Sequence, residues 1–280
     1  MTVSLFLYLS NVFCASGQTA FGKLYAKRGG TSAVFNLNKA LAGTLLFLVI
    51  GLARGFCFHL PTVIFGTIYG VALCISMHAG FTALAIGPMA LTSIFGSFSL
   101  VIPFLFGIIF WSEPITLVKA FGLVLLLLAI LLINGKREAG FSVKWFCFAL
   151  LAMLCNGVCS VVQKLHQIKH PGFYQTEFMF WALLSVLFIM IVISAAKREG
   201  VKAFKPSFLG LLCGILNCLA NYIVLYLSAT ENASVLFPIV SIANIIAVWA
   251  IGVVFFKERT RPLQTAGLVL GIISVVLLKI

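Results

Sequence analysis

Apolar residues run along this chain in long blocks, broken at short intervals by charges, Gly and Pro. Reading the breaks divides it into ten runs, roughly 3–26, 32–53, 60–85, 89–111, 117–134, 144–166, 173–195, 207–228, 232–255 and 262–279. Most are about 20 residues long, the length an α-helix needs to cross a hydrocarbon core. The stretch from Leu60 to Ser112 holds no Lys, Arg, Asp or Glu and is too long for one span, so a break is placed at Gly87-Pro88. In lipid no water is available to satisfy the backbone, so each run is predicted to be helical. The links between runs are short, which makes consecutive helices antiparallel neighbours.

Composition agrees. Of 280 residues, 62% are hydrophobic and only 9% charged, more apolar surface than a soluble domain of this length can hide. The expected class is an all-α integral membrane protein, with no soluble domain and no cleavable leader, since the first run lacks a basic start. The eight cysteines lie in or beside apolar runs without metal-finger spacing and read as free buried thiols.

The sequence also repeats itself. Phe110–Leu125, FWSEPITLVKAFGLVL, is echoed by Phe255–Leu270, FFKERTRPLQTAGLVL, 145 positions on. In both, two aromatics, one residue and a Glu precede Gly-Leu-Val-Leu. Cys14 and Lys23 are spaced as Cys155 and Lys164 are, and Leu46-Phe47 meets Leu187-Phe188, both at an offset of 141. Runs one to five therefore correspond to runs six to ten, giving halves at 1–137 and 138–280 within one membrane domain. An odd number of spans per half makes the halves enter the membrane in opposite directions, an inverted repeat. That architecture suits alternating access of a secondary transporter; duplication kept only for packing is the plainer alternative.

Two five-helix halves, the Ala-Leu-x-x-Gly-Pro turn at Ala83–Pro88 and the aromatic-x-Glu-x8-Gly element closing each half resemble the ten-helix, EamA-like branch of the drug/metabolite transporter superfamily. The resemblance covers the whole chain. It implies a central cavity lined by the first, third and fourth helices of each half, and proton coupling or exchange. It does not select among amino acids, sugars, nucleotide derivatives and drugs.

Net charge of +13 suggests nucleic acid only for a soluble chain; here it reports orientation. Connections 1–2, 5–6, 7–8 and 9–10 carry thirteen Lys and Arg, against five on the face that holds both termini. The positive-inside rule places the richer face in the cytoplasm and both termini outside, although several relatives place both termini inside. The expected location is a bacterial inner (plasma) membrane.

Polar side chains within the apolar runs mark the candidate cavity, because amides are costly against lipid. They are Asn11 and Gln18 on the first helix, His78 on the third, Asn156 and Gln163 on the sixth, Asn217, Asn221 and Tyr222 on the eighth, and Asn244 on the ninth after Pro238. Hydrogen bonds that merely join helices are the competing explanation. Lys39 is placed among the substrate-binding residues, drawing carboxylates to the inner mouth. Lys23, Lys164 and Glu177 are candidates for gating or coupling, with Lys164 and Glu177 neutralising each other at the outer mouth. His166 and His170, four apart at a helix end, are expected to be a solvated pair rather than a metal site.

The resulting expectation is a secondary transporter of a small polar organic metabolite, with a carboxylate-bearing one such as an amino acid as the candidate, acting in export. Efflux of drugs or cationic compounds is the alternative, and an integral-membrane enzyme the second. Neither a P-loop nor an orderable Ser-His-Asp set is present, and the chain has no Asp at all. No cofactor, metal or nucleic acid is expected. The expected partners are the solute, the bilayer and protons as coupling ion.

Overall fold

The computed structural model describes residues 2–27, 32–86, 96, 98–134, 143–196, 207–256 and 262–279. They form ten helices: α1 Thr2–Lys27, α2 Ser32–Arg54, α3 Leu60–Ile86, α4 Val101–Trp111, α5 Leu117–Asn134, α6 Val143–Lys169, α7 Gln175–Ala196, α8 Phe208–Leu227, α9 Ala233–Phe256 and α10 Pro262–Lys279. No strand occurs among the described residues. Each helix falls on one of the apolar runs. Six of them (α2, α3, α6, α7, α8 and α9) contain a stretch long and apolar enough to cross a membrane. Leu5, Phe6, Leu9 and Phe13 on α1, and Val49 and Leu52 on α2, are exposed, as lipid-facing positions require. The Gly87-Pro88 break lies outside the described residues.

Local signals set several ends. Gly55, at φ 81°, follows the last turn of α2. Ser112 takes a left-handed conformation, φ 51° and ψ 34°, and the Glu113 N–H returns to the Gly107 carbonyl at 3.0 Å, closing α4. Ser207 caps α8, its Oγ accepting from Gly210 N at 3.3 Å.

The helices pack in two compact units that cut across the sequence halves, each drawing helices from both. The first contains residues 1–74 and 162–230, the second 75–161 and 231–280. In the first, α1 packs on α8, and α2 on α7 and α8. Two glycine seams set its close contacts. On α3, a Cβ at Gly66 would lie 2.9 Å from the Phe178 carbonyl oxygen, and one at Gly70 would fall on the Ala182 carbonyl of α7. On α8, a Cβ at Gly210 would lie 3.0 Å from Asn38 Cβ, and one at Gly214 2.7 Å from the Lys39 carbonyl oxygen of α2. In each seam the glycines are four apart, on one helix face, and admit the neighbouring backbone directly.

In the second unit α5 packs on α10, α4 on α9, and α9 on α10. Leu100, Phe104, Leu126, Ile130, Ile242, Leu268 and Leu278 form its core. Gly122 brings α5 close to α10, a Cβ there lying 3.2 Å from Leu277 Cβ. The second half of α3 meets the first half of α6 through Ser76 Oγ, which donates to the Ala152 carbonyl at 3.0 Å.

Candidate functional site

A polar chain joins three helices of the first unit, buried at Tyr69 and Gln163 and half-buried at Asn221 and Asn217. Tyr69 on α3, 2% exposed, donates its hydroxyl to Asn221 Oδ1 on α8 at 3.0 Å. Gln163 Nε2 on α6 reaches the same hydroxyl at 3.5 Å. Asn221 Nδ2 in turn donates to the Asn217 carbonyl one turn back, at 2.8 Å. The Tyr69 oxygen thus acts as donor and acceptor at once, as a phenol can. Nearby, Asn11 Nδ2 on α1 donates to the Ala220 carbonyl at 2.8 Å. Tyr222 packs against Phe47 of α2 with ring centroids 5.4 Å apart. Three helices from the two sequence halves therefore bring Tyr69, Gln163 and Asn221 into one connected set.

The remaining candidates are placed as follows. Gln18 lies on α1; its Oε1 is buried without a hydrogen-bond partner among the described residues. Its carbonyl accepts from Cys213 Sγ at 3.4 Å. Lys39 is half-buried on α2, its Nζ 5.7 Å from the centre of the Phe35 ring. Lys23 lies on α1, but its side chain falls outside the described residues. His78 is exposed on the second half of α3, its carbonyl accepting from Thr82 Oγ1. Asn156 Nδ2 donates to Ser99 Oγ at 2.8 Å, and Asn244 is half-buried on α9. His78, Asn156 and Asn244 belong to the second unit, the others to the first.

Lys164, buried on α6, donates to the Ser228 carbonyl at 3.0 Å. Glu177 Oε1, on the first turn of α7, accepts from the Cys57 N–H at 3.3 Å. Lys164 and Glu177, read as mutual partners in the sequence, each bond a main-chain group, Lys164 at the α8 end and Glu177 in the α2–α3 link.

One expectation is corrected. His166 is not solvated: it is 0% exposed. The turn after α6 folds back over it, with Gly172 N–H on Gln167 Oε1 at 3.1 Å and Gln175 Nε2 on the same oxygen at 3.0 Å. The rings of Phe178 and Phe65 lie 4.8 and 5.9 Å from the imidazole. Among the described residues no group of three or more His, Cys, Asp or Glu could hold a metal.

Sequence reasoning missed Tyr69, the hub of the polar chain, and Thr62, Gln167 and Gln175. A lone Tyr in an apolar run is an ordinary packing residue, so Tyr69 carried no separate signal. Gln163, His166 and Gln167 do fall at three- and four-residue steps, so a continuous polar face on α6 was there to be read. An apolar cleft of about 430 Å³ between α3 and α7 is lined by Val63, Thr67, Val71, Trp181, Leu184 and Phe188 among others. It contains no charged side chain and none of the polar set.

Comparison with known proteins adds two findings. The model of the EamA-like transporter family matches residues 143–280. A solved crystal structure superposes with a TM-score of 0.78 at 15% identity, covering 99% of this chain and 96% of that chain, a likeness of fold. No curated protein matches the chain.

Proposed function

We propose, from the match of residues 143–280 to the EamA-like transporter family, that the chain is a ten-helix secondary transporter of a small polar organic metabolite. The observation that carries the reading is the connected polar set Gln163–Tyr69–Asn221. Three hydrogen-bonding side chains converge from three helices in a chain that is 62% hydrophobic, where polar groups are retained for function or for joining helices. The solute is a carboxylate-bearing metabolite such as an amino acid, recognised by these groups and drawn in by Lys39, and it is exported by alternating access across an inner membrane. Efflux of cationic compounds is the second reading; it is favoured if Lys39 has no part in recognition.

Pairs of contacts at near-constant offset support an inverted repeat. Asn11 of α1 bonds the Ala220 carbonyl of α8, and Ser76 of α3 bonds the Ala152 carbonyl of α6. Asn11 and Ala152 are 141 positions apart, and Ser76 and Ala220 144. The glycine seams obey the same relation: Gly66 and Gly70 of α3 pack on α7 as Gly210 and Gly214 of α8 pack on α2.

The test is uptake into proteoliposomes carrying the purified chain, screened against amino acids, sugars and cationic drugs. Lys39→Gln is expected to reduce carboxylate transport about tenfold or more while sparing cations. Equal transport of every carboxylate by Lys39→Gln and wild type would remove the anionic-substrate reading. Absence of movement for all solutes, with product formation instead, would point to a membrane enzyme.

A further inference from the structure

The start of α3, the end of α6 and the start of α7 are joined by a chain of side-chain hydrogen bonds whose direction is fixed at one end. The Gly172 backbone N–H can only donate, and it donates to Gln167 Oε1. Gln175 Nε2 donates to the same oxygen. The amide nitrogen of Gln167 is thereby the atom that faces His166 Nδ1, at 2.9 Å, and it too can only donate. His166 Nδ1 must be the unprotonated acceptor, so its ring proton sits on Nε2. That N–H points at Thr62 Oγ1, 3.1 Å away, and the Thr62 hydroxyl passes its own proton to His59 Nδ1 at 2.9 Å. The closed chain therefore admits His166 only as the neutral imidazole. A proton on His166 Nδ1 would face the Gln167 amide donor, and a proton on His59 Nδ1 would face the Thr62 hydroxyl, which could accept only by reversing its bond.

We infer that His166 Nδ1 is a proton-binding site and that Thr62, His166, Gln167 and Gln175 form a latch which is fastened in its proton-free state. A proton taken from water binds the Nδ1 lone pair and displaces the Gln167 amide. Gln167 then releases Gly172 and Gln175, and the α6–α7 turn loosens from the end of α6. The charged and titratable groups around the latch favour this direction. His59, His170 and Lys169 lie about it, with His59 and His170 rings 4.7 Å apart and Lys169 Nζ over the Phe65 ring. Lys164 lies half a turn earlier on α6, and Tyr174 stacks on His59 at 4.3 Å. Glu177, the one carboxylate of this group, is turned to the Cys57 N–H. The latch deepens the transport reading, since it places a site for a coupling proton at one end of the unit that holds Tyr69 and Asn221, but its geometry does not depend on a solute.

The test is nitrogen NMR of histidine-labelled full-length chain in lipid nanodiscs, titrated from about pH 8 to pH 3, with amide exchange of Gly172 followed in the same samples. At high pH His166 is expected as the pure Nε2–H tautomer with Gly172 protected. On acidification the tautomer signature and the protection should be lost together. Gln167→Glu keeps an oxygen for Gly172 and Gln175 and offers a second to His166 Nδ1–H. It should raise proton affinity at His166 at least tenfold, about one pH unit, while Gly172 stays protected to lower pH than in wild type. Retention of the Nε2–H tautomer at about pH 3, or loss of Gly172 protection at a pH unrelated to His166 titration, would overturn the latch. Neither readout requires transport, so a latch that titrates as described in a chain that moves no solute would sink the transport reading alone.

Discussion

Glu113 closes the start of α9: its Oε1 accepts the Ala233 N–H at 2.7 Å, and its Oε2 accepts the Ser234 N–H at 2.8 Å. The carboxylate is 8% exposed and sits where the first N–H groups of a helix have no partner within the helix. The positive end of the helix dipole favours a carboxylate at the same place. Gly107 leaves room for it, since a Cβ there would come 2.6 Å from Oε2. This is the Glu of the aromatic-x-Glu element in the first half of the sequence, and its task here is to tie the α4–α5 link to α9.

Replacing Glu113 by Ala leaves two buried N–H groups unpaired, at about 1–3 kcal/mol each if unrelieved. Thermal unfolding of purified Glu113→Ala in detergent should fall well below wild type, with Glu113→Gln between the two because it retains one acceptor. A Glu113→Ala protein as stable as wild type would mean that water replaces the carboxylate at no cost.

Tyr69→Phe removes the donor to Asn221 and the acceptor for Gln163 while keeping the ring that packs at 5.4 Å from Phe178. Stability should change little, by about 1 kcal/mol. Transport should fall roughly tenfold for a solute hydrogen-bonded to this set. Uptake in proteoliposomes, paired with a melting curve, separates the two effects; a melting loss with unchanged uptake would make Tyr69 a structural bridge.

Gly70→Ala and Gly214→Ala place a methyl group against the backbones of α7 and α2 respectively. Both are expected to destabilise the protein by about 1–3 kcal/mol, because backbone cannot move aside as a flexible side-chain end can. Gly55→Ala, where nothing lies within 4 Å of an added Cβ, isolates the cost of the φ of 81° alone. Melting of the three variants gives the comparison, and a larger loss for Gly55 than for the seam glycines would contradict it.

His170 responds to acid in a direction set by its surroundings. Burial, then the neighbouring His59 and the Lys169 ammonium, lower its pKa below the ordinary value of 6.5. The unfolded chain therefore takes up this proton more readily than the folded one. The stability contributed is present above the unfolded value and is lost as pH falls through it towards the folded value. His170→Gln should flatten the acid limb of a stability-against-pH curve as pH falls below the ordinary value of 6.5; an unchanged limb would mean that other groups dominate acid unfolding.

The sequence by itself determined that this chain is helical and made for lipid, and roughly where ten helices lie. Apolar runs of spanning length leave the backbone no alternative to internal hydrogen bonding, and that constraint acts locally, run by run. It also displayed the aromatic-x-Glu repeat, yet not that Glu113 holds the start of α9, 120 positions away. The polar residues were legible as a list, not as an arrangement. Asn221 meets Tyr69 across 152 positions, and Gln163 meets the same hydroxyl across 94. Which amides share a hydroxyl depends on helix rotation and close approach, and these are decided by side-chain volumes at Gly66, Gly70, Gly210 and Gly214 acting on partners distant in sequence. His166 shows the limit most plainly. Its place at a helix end predicted water, but the fold-back of Gly172 and Gln175 onto Gln167 buried it. Solvation is a property of everything that packs around a residue, so only the tertiary structure could assign it.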